Sequence, residues 1–292
     1  MDTRGDPSLQ RRRLRGELRK AREAAQLTQR QAAERLEWSL SKLIRIEAGS
    51  VGVSVTDLRA MLQTYDVTDD ELVKSLTEAA RGSKGQSWWS QYRDVVSPPF
   101  AQYLGHEGSA KSIRIFHPFL IPGLLQTQEY AVELLRVHLG ARQTKRVVEL
   151  RMKRQDSLLS QVGHPDVAFI LGEESLYRWI GGPAVMRRQL QSLLEINTRP
   201  GITVQIVPFI AGAHPGLIGS FVLLGLAGSA EEILFLEGAN GDMVSRADQE
   251  RILKFGEHFE VARGLALPDD QAVALIHRQI RRLNQEDGNG RQ

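Results

Sequence analysis

Hydrophobic positions in the first eighty residues recur at helical spacing. Leu14, Leu18, Ala21 and Ala25, four, three and four apart, predict a helix over about 8–25 with one apolar stripe. Ala32, Ala33 and Leu36 share a face of a second, shorter helix, and Leu43 and Ile46 share a face of a third, so 27–49 reads as two short helices joined by a tight turn. Thr28 and Ser39 are the expected N-caps, because each hydroxyl can accept an otherwise unpaired amide of the first turn. Leu58, Met61, Leu62 and Tyr65 mark a fourth helix, and Leu72, Leu76 and Ala79 a fifth. Their start signals are Ser54 with Asp57 and Thr68 with Glu71, both in the manner of capping boxes. The pattern predicts an all-α, five-helix unit over 8–80.

Beyond it, RGSKGQS at 81–87 is polar, carries glycine and lacks periodicity, and opens a linker and connecting segment over 81–106. Trp88, Trp89, Tyr92, Phe100 and Tyr103 make the rest of that segment aromatic and suited to packing on the second domain. From Ser112 the pattern alternates. Strands are expected at 112–116, 166–172, 202–208, 220–226 and 232–237, with helices near 127–139, 143–162, 174–180 and 183–197. Residues 239–242 read as a turn. Two C-terminal helices come next, with stripes through Ile252, Phe255, Phe259 and Ala262 and through Val273, Ile276, Ile280 and Leu283, before a tail, EDGNGRQ, without order. Residues 107–284 therefore read as one α/β domain with a mixed sheet, and the pattern does not fix its strand order.

Composition agrees with two globular domains: 292 residues, 41% hydrophobic and 25% charged. No run of 18 uninterrupted apolar residues occurs and the N-terminus lacks the apolar segment of a signal peptide, so a cytoplasmic protein without membrane contact is expected. Zero cysteines exclude disulfides, thiolate zinc sites and cysteine nucleophiles. The net charge of +3 hides an asymmetry: Ser8 to Arg45 holds 11 Lys or Arg against 4 Asp or Glu, a net of +7, leaving −4 for the remainder. Such clustering favours an anionic polymer, since each neutralised phosphate releases counterions.

Catalytic signatures are missing. The seven histidines show no HExxH or HxH spacing and are expected mostly on the surface or in loops. Neither a GxSxG, a Walker loop nor a GxGxxG occurs. Glu173-Glu174 and Asp269-Asp270 suit helix starts, where negative charge complements the dipole. We therefore expect no catalytic residues, no metal, no cofactor and no enzyme. His214-Pro215-Gly216 reads as a turn that could edge a pocket.

The outward face of the third helix shows Leu40, Ser41, Lys42, Ile44 and Arg45, a surface able to read a groove of double-stranded DNA. The stretch resembles the helix-turn-helix of lambda-repressor-like regulators of the xenobiotic-response-element type: Leu27-Thr28-Gln29 opens the first helix, Ala33 is the small residue between helices, Ser39 caps, and Ile46-Glu47-Ala48-Gly49 closes the recognition helix. The resemblance implies that Gln29, Ser39, Leu40, Ser41, Lys42, Ile44 and Arg45 meet DNA and that Arg22 pairs with Glu47 as a structural staple. Two positions depart from the family. Glu37 stands where it usually has Gly, at a cost of about 1 kcal/mol if its φ is positive, and Ile44 stands where a small polar residue is common.

HPFLIPGLLQTQEYA at 117–131 resembles a segment of the C-terminal domain of WhiJ-like actinomycete regulators, with support from Glu107-x-x-Ala110, RMKRQ at 151–155, and ITVQIVPF at 202–209 followed by GSFVLL. That family comprises antitoxin-type or developmental regulators commonly encoded beside a small partner protein. Pro122-Gly123 breaks the chain before a helix whose expected N-cap is Thr127, and serves as a structural corner or a ligand contact. The expectation is a sequence-specific DNA-binding transcription regulator with a C-terminal sensory and dimerisation domain, a homodimer through its last two helices. The alternative is an antitoxin-like interaction module that binds a small neighbouring-gene partner and autoregulates its operon.

Overall fold

The computed structural model describes residues 7–48, 51–85, 87–108, 110–160, 164–226, 232–237, 243–245 and 248–289. The chain forms two compact units, Met1–Ser90 and Gln91–Gln292.

The first unit is helical: α1 (Pro7–Ala24), α2 (Gln29–Arg35), α3 (Leu40–Ala48), α4 (Val55–Thr64) and α5 (Asp70–Gly82). The stripes meet in one core, in which Leu14, Leu18, Leu43, Leu58, Met61 and Leu76 are almost fully buried. Each such side chain contributes about 1.5–3 kcal/mol. Thr28 closes a full capping box with Gln31, and Ser54 accepts the Asp57 amide. The cap of α5 differs from expectation. Asp69, not Thr68, holds it, its carboxylate accepting from both Glu71 N and Leu72 N. A charged acceptor reaching two amides outcompetes a hydroxyl one residue earlier.

Three helices of this unit end alike. Gln26, Glu37 and Asp66 all sit at φ 56°, and the apolar residue after each returns its amide to the carbonyl five positions earlier: Leu27 to Arg22, Trp38 to Ala33, Val67 to Leu62. These are Schellman closures made without glycine. Glu37 thus makes without glycine the left-handed turn at which the resemblance leads one to expect Gly.

The second unit opens with α6 (Pro98–Glu107), all but the last residue of which falls in the segment 81–106 read from sequence as connecting chain. Its prolines occupy the first turn, where no amide donor is needed, and Ser97 caps it. Six strands then form one sheet of order β3-β2-β1-β4-β5-β6: β1 (Ala110–His117), β2 (Asp166–Gly172), β3 (Ile202–Val207), β4 (Phe221–Leu226), β5 (Glu232–Leu236) and β6 (Met243–Ser245). β1, β2 and β3 run parallel, and β4, β5 and β6 complete the sheet antiparallel, β4 beside β1. The crossovers are α7 (Gln128–Leu135) with α8 (Ala141–Leu159), and α9 (Glu174–Tyr177) with α10 (Gly182–Ile196); α11 (Gln249–Leu265) and α12 (Asp269–Asn289) end the chain. Strand β6 is absent from the sequence pattern, being too short to show a period, and the turn expected at 239–242 lies outside the described residues.

Alternation along the strands divides two cores. Phe116, Ile170, Phe221, Leu223 and Leu234 point to the face covered by Phe255 and Phe259 of α11. Ile115, Val222 and Phe235, aligned across three strands, point to the other, where Tyr103 of α6 stacks on Phe235 at 4.2 Å. One expectation fails here and another is narrowed. Of the two stripes expected to meet a second copy, Phe255, Phe259 and Ile276 are buried within the unit, Phe255 and Phe259 in the cover of the sheet, and Ile280 is half-buried. Residues 286–289 are helical, extending α12 into the expected tail.

Candidate functional site

In the first unit, α3 stands on a buried polar staple. Arg22 Nε and Nη2 donate to Glu47 Oε1 and Oε2 at 2.7 and 3.2 Å, and Arg22 Nη1 donates to Leu27 O at 2.7 Å. The bond to Glu47 holds the guanidinium above the ordinary arginine pKa against the opposing effect of burial. Gln29 Nε2 donates to Glu47 Oε2 at 2.8 Å, so this side chain, expected at DNA, is engaged by the staple. Ser39 Oγ caps α3 by accepting Lys42 N. Lys42 itself turns aside: Nζ bonds Asp57 Oδ1 at 2.8 Å and lies 3.6 Å from the Trp38 ring centre. Burial alone would raise the Asp57 carboxyl, but the bonds from Lys42 and Ser54 outweigh it and hold it low. Leu40 is half-buried against the core.

What remains exposed on α3 is Ser41, Ile44 and Arg45, at spacings of three and one and hence on one face. Several basic residues of α1 are committed internally: Arg11 to Ser83 O and Gly85 O, Arg13 to Ser75, Arg19 to Glu23. Among the described residues Arg30, Arg35 and Arg45 are exposed and form no ion pair. Arg30 and Arg35, on α2, are not among the residues the sequence pattern singles out; their place on the polar side of a seven-residue helix is the available signal.

In the second unit, the segments Glu107, 121–127 and 151–155 come together at the carboxyl end of β1. Arg154 bonds Glu107 through Nε and Nη2 at 2.7 and 2.6 Å and donates to the Tyr103 hydroxyl at 2.9 Å. Burial alone would lower the Arg154 pKa; the field of Glu107 outweighs it and raises it. Three glutamines strap the corner. Gln126 donates to Ile121 O, Gln155 to Gly123 O and Gln126 O, and Gln189 donates to Leu125 O while accepting Thr127 N, all at 2.7–2.8 Å. Thr127 caps α7 as expected.

Between this corner and the sheet lies a cavity of ≈160 Å³, lined by Ile115, Val222 and Phe235 from the strands and by Leu134, Val147 and Leu150 from α7 and α8. Arg151 also lines it. Its Nη1 donates to Gln126 Oε1, and its Nε lies beside Gly123, where a Cβ would stand 3.4 Å away. Burial, reinforced by Arg154, lowers its pKa to about 10. His117 lines the same space; its Nδ1 accepts Leu120 N, leaving the proton on Nε2, and burial depresses its pKa to about 4.

A model described as a domain of unknown function (DUF5753) matches residues 100–278. The chain belongs to the DUF5753 family. A helix-turn-helix domain model matches residues 13–76, covering the staple and the exposed α3 face. No curated protein and no solved structure matches the chain. The DUF5753 match takes in α6 from Phe100, and with it the Glu107–Arg154 pair, to which the sequence pattern assigns no function. The charged residues of RMKRQ are the signal: arginines on a helix of otherwise helical apolar spacing.

Elsewhere in the DUF5753 domain, Pro215–Ile218 forms a 3₁₀ turn that seats Gly216 against the Phe116 ring, with no room for a Cβ. His106, expected outside the core like most histidines, is buried at the end of α6. Among the described residues no group of three or more His, Asp or Glu is placed to hold a metal ion, and no helix is long and apolar enough to cross a membrane.

Proposed function

We propose that this chain is a DNA-binding transcription regulator in which α3 enters the major groove and the DUF5753 domain is the regulatory and self-associating part. The observation that carries the reading is the face formed by Ser41, Ile44 and Arg45, exposed on a helix whose far side is locked by Arg22 and Glu47. Arg45 suits a bidentate contact to a guanine edge, Ile44 a thymine methyl, and Ser41 either kind of base. Arg30 and Arg35 supply phosphate contacts, whereas Gln29 and Lys42 reach DNA only by leaving Glu47 and Asp57. Selection of an operator from random duplexes, followed by binding at increasing salt, tests this. We expect affinity to fall steeply with salt and Arg45→Ala to weaken operator binding by about 1–3 kcal/mol. Operator binding by the variant equal to that of the parent would remove Arg45 from the interface.

A second reading, that of WhiJ-like, antitoxin-type regulators with a small partner protein, draws on an observation that self-association shares. Ile210 is 93% exposed, Ile218 68% and Leu253 68%, and the turn bearing Ile218 packs on α11, which bears Leu253. Such apolar exposure suits an interface, either with a second copy in a homodimer or with a partner. Light scattering of the purified chain, alone and after co-expression with the product of a neighbouring gene, separates the two. A monomer that copurifies with that product supports the partner; a dimer without it supports self-association.

A further inference from the structure

The cavity at the carboxyl end of β1 lies where the strand order reverses, between β1 and β4, the kind of position at which open α/β sheets hold ligands. Its walls are apolar on the side of Ile115, Val222 and Phe235 and polar on the side of Gln126 and Arg151, and a volume of about 150 Å³ is enough for a benzene ring. Arg154 is neutralised by Glu107 across two short bonds, but Arg151 has among the described residues only the neutral amide oxygen of Gln126 as partner. A guanidinium carries five donors and stays charged, so most of its hydrogen-bonding capacity at this wall is open. A further carboxylate lining the space, Glu237, is exposed, and its field reaches both arginines.

The geometry points to this cavity as a binding site for a small organic monoanion: a carboxylate on a ring-sized apolar body, the carboxylate on Arg151 and the body against Ile115, Val222 and Phe235. The His117 Nε2 proton and the Ser220 hydroxyl, which line the same space, are further donors. A dianionic phosphate fits less well, because Arg151 offers it a single positive charge and the field of Glu237 opposes a second negative one. The site stands on the DUF5753 domain and holds whether or not the chain binds DNA.

Titration calorimetry on the full chain, without DNA, tests it with benzoate, its neutral isostere benzamide and inorganic phosphate. We expect benzoate to bind, benzamide to bind about tenfold more weakly or worse, and phosphate not to compete. Arg151→Met should abolish the preference for benzoate over benzamide. Glu237→Gln, at an exposed position, should tighten benzoate binding by removing a neighbouring negative charge. No benzoate binding at millimolar concentration, equal affinity for both ligands, or a preference surviving in Arg151→Met overturns the site. If Arg151→Met does not fold, the benzoate-to-benzamide ratio of the parent and the Glu237→Gln response decide.

Discussion

Removing either member of the Arg22–Glu47 staple should cost far more than an ordinary surface charge change, because the two side chains are only 9% and 4% exposed. In Arg22→Ala, Glu47 keeps a single bond from Gln29 and is otherwise a buried, uncompensated carboxylate; the expected loss is about 3–5 kcal/mol. In Glu47→Ala, Arg22 keeps Leu27 O and can lean on Glu23, already 3.6 Å away and half exposed, so the loss should sit at the lower end, about 3 kcal/mol. The double variant leaves no orphaned charge and should lose less than the sum by roughly 1–3 kcal/mol. Because the chain has two units, a single melting curve would mix their responses. Native-state hydrogen exchange on peptides from α1 and α3 isolates the first, with peptides from β1 and β2 as an internal reference. Strictly additive losses in α1 and α3, with unchanged reference peptides, would mean that the pair does not act as one and that Gln29 and Leu27 O carry the contact.

The remaining predictions concern pH and a cap. His117 titrates near 4 in the folded state against 6.5 when free, so the unfolded chain takes up a proton that the folded chain refuses; stability should fall by about 3 kcal/mol as pH drops from 6.5 to 4. His117→Asn, which keeps an acceptor for Leu120 N, should flatten that part of a urea-unfolding pH series, and an unchanged slope would clear His117 of the effect. Asp69→Ala should destabilise the first unit by about 1 kcal/mol whereas Thr68→Ala stays within a few tenths, and the reverse ranking by the same exchange measurement would return the cap to Thr68.

How much of this is legible in the chain depends on the range of the interaction. Leu14–Leu18, Leu43–Ile46 and the caps at Thr28, Ser39 and Ser54 are local signals, and the helices they mark stand where the periodicity puts them. The meeting of Arg22 with Glu47 is legible only through the family resemblance; periodicity alone places Arg22 beside a buried stripe. The capping-box pattern favours Thr68 over Asp69 because it ignores that a carboxylate one residue later reaches two amides. α6 is hidden by Pro98 and Pro99, which act as breakers everywhere except in a first turn. Lys42 cannot be seen to leave the α3 face, since Asp57, which draws it aside, reaches it only through the packing of α4 beside α3. The cavity is the extreme case: Glu107, Gln126, Arg151 and Arg154 lie in three separate segments, and nothing short of the folded sheet shows them converging.

The pairing of β1 with β4 bears on the order in which the chain can become itself. Ile113 finds its parallel neighbour at Val167 but its antiparallel neighbour only at Leu224, and Arg114 meets Glu232 across 118 positions of sequence. The helical unit has every residue of its own core once Ala80 is made, and none of them waits for the second unit. The sheet of the DUF5753 domain cannot cover the second side of its central strand until β4 has left the ribosome. During synthesis, β1 therefore waits with one edge open and with Phe116 lacking the α11 residues that will bury it. Non-local pairing of this kind is slow and exposes strand edges to other chains. The helix-turn-helix is finished early, and the cavity, whose wall includes Val222 and Phe235, is among the last features to exist.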